Sequence, residues 1–228
     1  MIIPNGFDLN HQNSLNLTDV TADGTMWAML HKVSQGTGFR DPAYTKRVAA
    51  ARELGLLVAG YDFATSDNVA QNVANYLLWA NLQNQDAACL DFEDNSHSEM
   101  SGDQAYEWID RVQQKIGRAA IIYGGNRIAE HINSQDKKWI DMAQVVRLWR
   151  CRYINMSIDN NKELFDIIKP YAPWKSCFGI QYTGDGAGPK PHTHTGLENG
   201  ADLNVFCPDL TKDKLKAIWA GNNVTIHP

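Results

Sequence analysis

The chain has 228 residues, of which 43% are hydrophobic, and it carries a formal net charge of −5 at pH 7. This length suits one large domain or two small ones, and the apolar content is sufficient for a full core. The acidic balance and the lack of a basic stripe argue against a nucleic-acid partner. No apolar run approaches the roughly 20 residues that a membrane-spanning helix needs.

The N-terminal segment Met1–Gly6 contains neither a positively charged stretch nor a long apolar one, so we expect no signal peptide. The four cysteines are widely spaced and form no CxxC pair, which favours buried reduced thiols over disulfides. We therefore expect a chain that is made in the cytoplasm.

Eight apolar segments have the length and composition of buried strands, and helical segments separate several of them. The predicted strands are Ile2–Asp8, Met26–Val33, Leu56–Phe63, Asp86–Glu93, Ala119–Tyr123, Val145–Trp149, Cys177–Tyr182 and Ala201–Phe206. The predicted helices are Asp41–Leu54, a segment from Ser66 or Asp67 to about Leu82, Ser101–Ile116, Arg127–Ile132, Trp139–Ala143, Lys162–Ile168 and Asp209–Ala220.

Repeated strand–helix units with nearly continuous apolar strands indicate an α/β fold with a parallel sheet covered on both faces. Eight such strands predict a closed, TIM-like β/α barrel. The helices after the fifth to seventh strands are short or broken, so we expect an irregular barrel. No internal repeat or linker divides the sequence, and we predict a single domain over residues 1–228.

The fourth predicted strand ends in two acidic residues, Asp91 and Glu93. Alternate strand residues share a face, so these carboxylates lie on one side with Cα atoms roughly 6.6 Å apart. Two close carboxylates split their pKa values, and one can then stay protonated as a general acid. The alternative interpretation is an exposed acidic strand end that leads into a loop.

Other acids fall at the same end of the predicted barrel, where active sites of this architecture lie. Asp8 closes the first strand and Asp202 lies in the eighth, which neighbours the first in a closed barrel. For each acid alone, a role as a helix cap or loop residue remains open. Lys32 closes the second strand and Asp62 lies at the end of the third.

The loop around His192 and His194 contains two histidines with metal-ligand spacing, but no third ligand with fitting spacing is evident. A mobile loop over the cleft is the favoured interpretation. We therefore expect no metal and no cofactor.

The chain resembles family 25 glycoside hydrolases, the lysozymes that cut peptidoglycan, over about residues 2–210. The matching segments stand in the family's order and each lies at a strand end. They are Gly6–Gln12, Lys32–Thr37 followed by Asp41, Ala50–Leu56, Gly60–Phe63, Leu90–Glu93, Leu148–Trp149, Gln181–Thr183 and Ala201–Phe206.

The resemblance implies a flattened, irregular β/α barrel in which Glu93 is the general acid. Asp91 is implied as the second catalytic carboxylate, which orients or stabilises the N-acetyl group of the substrate as that group attacks the anomeric carbon. Asp8 and Asp202 are implied to flank this pair and tune its protonation. The substrate-binding residues that the resemblance implies are Lys32, Tyr61, Asp62, Tyr123, Trp149, Gln181 and Tyr182.

Three departures from the family pattern affect the substrate-binding details rather than the acid pair. Asp62 stands where the family usually has His, and Ile180 replaces the usual Trp before Gln-Tyr. The segment Arg150–Tyr153 lacks the common small residue.

We therefore expect a metal-free muramidase that cleaves the β-1,4 bond between N-acetylmuramic acid and N-acetylglucosamine, with peptidoglycan as its partner and a monomeric state. The expected context is a phage endolysin that acts on the wall after release. A bacterial effector, or a lysozyme exported by another route, is the alternative context. The alternative function is a barrel that binds wall glycan without cleaving it.

Overall fold

The computed structural model describes residues 1–95, 98–198, 202–222 and 224. Its strands are β1 (Gly6–Leu9), β2 (Ser14–Leu15), β3 (Ala28–Gln35), β4 (Phe39–Arg40), β5 (Leu57–Phe63), β6 (Ala87–Asp91), β7 (Ile121–Gly124), β8 (Arg147–Cys151), β9 (Gly179–Thr183), β10 (Leu197–Glu198) and β11 (Asp202–Phe206). Its helices are α1 (Leu17–Thr21), α2 (Tyr44–Glu53), α3 (Val69–Ala80), α4 (Gly102–Ile116), α5 (Asn126–His131), α6 (Lys137–Met142), α7 (Asn161–Ile167) and α8 (Lys212–Trp219).

The main sheet has the order β1-β11-β9-β8-β7-β6-β5-β3-β4, and pairing of β1 with β3 closes eight of these strands into a barrel. All barrel neighbours are parallel except β11, which runs antiparallel to both β1 and β9. The predicted irregular eight-stranded α/β barrel is confirmed. The antiparallel β11 makes the barrel irregular, and it also brings the N-terminal end of β11 to the C-terminal ends of the other strands.

Two apolar layers flank the barrel wall, because successive strand residues point to opposite faces. The inner layer contains Ala59, Cys89 and Ile121 from the strands, and Leu215 and Trp219 of α8 pack against it. The outer layer lies between the strands and the surrounding helices. Helix α8 therefore covers the end of the barrel opposite the strand C-termini and leaves the other end for polar groups.

Side-chain caps define the ends of the long helices. Ser101 and Gln104 form a reciprocal capping box at the start of α4, and Gly117 ends this helix in the left-handed conformation with φ of 69°. Asn68 caps α3, and Asn81 ends it with φ of 43°. These ends lie within two residues of the predicted ones.

The sequence patterns missed β2, α1, β4 and β10, and β1 begins at Gly6 rather than Ile2. Strand β2 pairs only with β10, and β4 pairs only with the end of β3. Two-residue strands depend on such distant partners and leave no periodic signal. Ala201, the predicted start of the eighth strand, lies outside the described residues. No described helix is long and apolar enough to cross a membrane.

Candidate active site

Four carboxylates meet at the open end of the barrel, and we call Asp8, Asp91, Glu93 and Asp202 the acid cluster. Asp8 of β1 and Asp202 of β11 are direct register partners. Asp91 is the last residue of β6, and Glu93 follows two residues later. Residues from distant parts of the chain are thus brought to one place, because β1 pairs with β11 on one side and closes the barrel with β3 on the other.

Asp8 is buried and held by two side-chain amides. Asn204 Nδ2 donates to Asp8 Oδ2 at 2.7 Å, and Gln181 Nε2 lies 3.3 Å from the same oxygen. Burial, and next the neighbouring Asp202, raise the pKa of Asp8 well above its ordinary value, while the bond from Asn204 opposes this shift. The amides fix the orientation of a carboxyl group whose protonated form is favoured.

Asp91 is 7% exposed, and its Oδ1 has no hydrogen-bond partner among the described residues. Burial raises the pKa of Asp91, and nearby Glu93 raises it further, whereas Lys32 lowers it. A buried carboxylate oxygen without a donor is costly, and Oδ1 can accept a hydrogen bond from a ligand in the cleft.

Glu93 lies beyond the last paired residue of β6 and is half-buried. The chain stays aligned with the barrel here, because the Phe92 amide donates to the Tyr123 carbonyl at 2.8 Å. Burial raises the pKa of Glu93, the nearby Tyr123 hydroxyl lowers it, and Asp94 raises it. Glu93 therefore combines partial access to solvent with a raised pKa, as a general acid requires.

Asp202 completes the acid cluster from the opposite side. Burial, then Asp185 and Glu93, raise its pKa to about 7. A Cβ atom on Gly184 would collide with both the Tyr153 hydroxyl and the Asp202 carboxylate. Glycine at position 184 thus lets Tyr153 approach Asp202.

Aromatic side chains predicted for substrate binding do surround the acid cluster. Tyr61 is 8% exposed and its hydroxyl donates to the Leu9 carbonyl at 3.3 Å. The Tyr123 and Trp149 rings lie with centroids 4.3 Å apart, and the Tyr123 hydroxyl donates to Gln181 Oε1. Trp149 donates through Nε1 to Asn204 Oδ1 at 2.8 Å. Trp149 is only 2% exposed, so it supports the cleft wall rather than forming its surface.

Lys32 reaches toward Asp91 from β3. Its Nζ donates to Gln35 Oε1 at 2.7 Å and lies 4.8 Å from the centroid of the Phe63 ring. Burial lowers the pKa of Lys32, and Asp91 is the first of the carboxylates that oppose this shift. Lys32 therefore lowers the pKa of Asp91 against the larger effect of burial.

The structure does not bring Asp62 and Tyr182 to the cleft, which corrects our expectation that they bind substrate. Both are completely buried on the outer face of the barrel. Asp62 accepts from Ser34 at 2.6 Å and from Trp108 of α4 at 3.0 Å. The cause is strand alternation: Tyr61 and Gln181 face inward, so the residue that follows each must face outward.

The Asp62→Asn variant should flatten the pH dependence of thermal stability. Burial raises the pKa of Asp62 from 3.8 to about 7, so the folded chain binds its proton more tightly than the unfolded chain does. The stabilisation of the folded state by protonated Asp62 is complete below pH 4 and is lost as the pH rises through 7. The free energy of unfolding should fall over this range by at most about 4 kcal/mol. The asparagine amide of the variant can still accept from Trp108 and donate to Ser34.

Melting temperatures measured from pH 4 to pH 8 test this prediction. The wild-type value should fall more steeply than that of Asp62→Asn over this range. Asp213→Asn, an exposed substitution on α8, is the control and should follow the wild-type curve. Parallel curves for wild type and Asp62→Asn would contradict the assignment.

Two cleft residues were missed by sequence reasoning, Asn204 and Tyr153. Asn204 hydrogen-bonds to both Asp8 and Trp149. It stands two residues after Asp202 in β11, and this spacing could have predicted that its side chain shares a face with Asp202. Tyr153 follows the end of β8 and carries no comparable pattern.

No group of three potential metal-binding side chains occurs among the described residues. His192 Nε2 is within 2.8 Å of the Gly188 carbonyl, and His194 Nε2 lies 3.2 Å from Asp23 Oδ2. Both imidazoles thus have protein partners.

The arrangement defines a class of protein: a barrel hydrolase with several carboxyl groups of raised pKa gathered at the open end of the barrel. Sequence comparison then identifies the family, since the model of glycosyl hydrolases family 25 matches residues 8–189. The chain belongs to this family. The predicted glycoside hydrolase of the lysozyme type is confirmed at this level.

Solved structures of low sequence identity share the fold. A bacterial lysozyme from Streptomyces coelicolor aligns with a TM-score of 0.77 at 18% identity, covering 96% of this chain and 97% of that one. A muramidase from Acremonium alcalophilum gives 0.74 at 17% identity, covering 95% and 99%. The catalytic domain of endolysin ply40 from bacteriophage P40 of Listeria monocytogenes gives 0.67 at 16% identity, covering 92% and 96%. No curated protein matches the chain.

Proposed function

We propose that this protein is a muramidase that hydrolyses the β-1,4 bond between N-acetylmuramic acid and N-acetylglucosamine in peptidoglycan. The observation that carries the proposal is the acid cluster, in which an unpartnered carboxylate oxygen of Asp91 lies beside Glu93. Membership of family 25 supports the substrate class.

Glu93 is the general acid in this proposal and protonates the oxygen of the departing sugar. Its support is the pKa raised by burial and its partial access to the cleft. The adjacent Asp94 also favours protonation of Glu93, because like charges at close range disfavour a further ionised group.

Asp91 accepts a hydrogen bond from the N-acetyl group of the substrate and steers that group toward the anomeric carbon. Its bare Oδ1 has the acceptor capacity for an amide N–H. Lys32 opposes the rise in the pKa of Asp91 that burial and Glu93 cause, and so favours the ionised form that this task needs. Asp8 and Asp202 tune the protonation of the pair, and the Asn204 and Gln181 amides hold Asp8 in place.

Purified peptidoglycan tests the proposed function. The wild-type protein should clear a peptidoglycan suspension and release fragments with muramic acid at the new reducing end. Clearing with glucosamine at the reducing end would assign the other glycosidic bond. Binding without any release of reducing ends would identify the glycan-binding alternative.

The pH–rate profile should be bell-shaped, and Lys32→Met should move its acidic limb to higher pH. Activity requires ionised Asp91 and protonated Glu93, so it falls when Asp91 gains a proton at low pH and when Glu93 loses one at high pH. Lys32 lowers the pKa of Asp91, and its removal raises that pKa.

The measurement is kcat against pH, with Lys115→Met on the exposed face of α4 as the control. The control should keep the wild-type profile. An acidic limb that stays in place in Lys32→Met would show that Lys32 does not act on Asp91.

The proposed biological role is that of a phage endolysin, a monomer made in the host cytoplasm that reaches the wall after release. Likeness of fold to the P40 endolysin supports this context. Expression in a bacterial host should cause lysis only when a membrane-permeabilising protein is co-expressed. Lysis without such a partner would favour an exported lysozyme.

A further inference from the structure

Strand β3 contains an irregularity close to the acid cluster. Lys32 is the register partner of Tyr61 in β5. The following residue of β5, Asp62, pairs with Ser34 rather than with Val33, so β3 carries one extra residue. Such an insertion is a β-bulge, and bulges beside active sites redirect side chains. The bulge therefore changes which residues of β3 face the cleft.

The bulge brings Gln35 onto the same face as Lys32. In a regular strand, residues three apart lie on opposite faces. Here Lys32 Nζ instead donates to Gln35 Oε1 at 2.7 Å. The same ammonium lies 4.8 Å from the centroid of the Phe63 ring, and Phe63 is the register partner of both Gln35 and Asp91. One amide and one aromatic ring thus hold the Lys32 ammonium above β5, the neighbour of the strand that ends in Asp91.

Buried contacts on the outer face of the barrel anchor the bulge. Ser34 is fully buried, and its Oγ donates to Asp62 Oδ1 at 2.6 Å. The other oxygen of Asp62 accepts from Trp108 Nε1 at 3.0 Å. The carbonyl of the extra residue, Val33, accepts from the Asp41 amide at 2.8 Å. A slip of β3 to regular pairing would turn Ser34 away from Asp62 and break their bond.

Charged groups from several strands act on Asp91. Burial raises its pKa most, Glu93, Asp8 and Asp62 raise it further, and Lys32 opposes this shift. Lys32 is the one of these charged groups that β3 carries. A neutral substitution in β3 leaves all of these charges in place. If such a substitution moves the pKa of Asp91, it therefore acts through the position of Lys32.

We propose that Gln35 is a positioning residue for Lys32, and that the buried Ser34–Asp62 bond keeps Gln35 on the cleft face by fixing the bulge. This inference rests on the proposed roles of Lys32 and Asp91 in the muramidase reaction. Lysine has a flexible four-carbon stem. An ammonium that is released by Gln35 therefore spends part of its time in solvent and lowers the pKa of Asp91 less.

The test measures the acidic limb of the kcat–pH profile in Gln35→Met, which keeps the length of the side chain and loses the acceptor for Lys32. The limb should move to higher pH by at least half of the shift seen in Lys32→Met. In the Lys32→Met background, Gln35→Met should add no further shift, because the two residues act as a unit. Gln114→Met, an exposed substitution on α4, is the matched control and should keep the wild-type profile.

Ser34→Ala tests the anchor of the bulge. It should move the acidic limb in the same direction and speed hydrogen exchange of the Asp41 amide about tenfold relative to other barrel amides, because the bulge opens more often. Ser34→Thr keeps a hydroxyl for Asp62 and should restore both values. Thr211→Ala removes the cap of α8 at the closed end of the barrel. It should lower stability and leave the acidic limb in place.

An acidic limb that stays in place in Gln35→Met would overturn the inference. A move to lower pH would also overturn it, because it would show that Gln35 draws Lys32 away from Asp91. An equal shift with and without Lys32 would do the same. An unchanged limb or unchanged exchange in Ser34→Ala would overturn the role of the anchor.

Because Gln35 is partly exposed, Gln35→Met keeps the test decisive if Ser34→Ala fails to fold. A wild-type protein that cleaves no glycan, or an unmoved limb in Lys32→Met, would instead overturn the proposed function and the role of Lys32 in it.

Discussion

The Glu93→Gln variant is expected to lose about 1,000-fold or more in kcat on peptidoglycan while it still binds the wall. Glutamine has the shape of the glutamic acid but cannot supply a proton to the departing oxygen, and general acid catalysis is worth roughly 10²–10⁴-fold. Turbidity clearance gives the rate, and co-sedimentation with purified walls gives the binding.

Glu130→Gln is the matched control, since Glu130 is an exposed residue of α5 away from the acid cluster. It should clear walls at the wild-type rate. The assignment of the acid fails if Glu93→Gln retains more than a tenth of wild-type activity. Loss of both clearance and wall binding would instead show a role in holding substrate.

The Asp91→Asn variant should lose activity and gain thermal stability at neutral pH. Removal of one preorganised electrostatic contact costs about 10²–10³-fold in kcat. Stability should rise because burial and the nearby Glu93 oppose ionisation of Asp91, and because its Oδ1 lacks a partner. A gain of about 1 kcal/mol corresponds to roughly 2–4 °C in a domain of this size.

The loss in Asp91→Asn should be much smaller on glycan whose N-acetyl groups have been removed, because Asp91 then has no acetamido group to steer. Asp213→Asn on α8 serves as the control for both rate and melting temperature. An equal loss on acetylated and deacetylated glycan would contradict the steering role. A lower melting temperature would show that Asp91 stabilises the fold instead.

Strand alternation explains which site predictions from sequence succeeded. Tyr61 and Gln181 do face the interior, but Asp62 and Tyr182 follow them directly and face the helices. Family-like segments contain both residues of each pair, so a match to the segment does not tell which one reaches the cleft. The strand register settled this, since side chains on one strand cannot share a face with their immediate neighbours.

Sequence alone determined the barrel class, the order of its eight strands and the acids at their ends, because buried strands are read from local apolar runs that need no knowledge of partners. Tertiary structure decided the rest. Antiparallel β11 places Asp202 beside Asp8, Asn204 links Asp8 to Trp149, and the two-residue strand β4 brings the Phe39 ring to within 5.6 Å of Lys32 Nζ. These features depend on pairings between distant segments, which local composition does not encode. Burial among those segments raises the pKa values of the acid cluster.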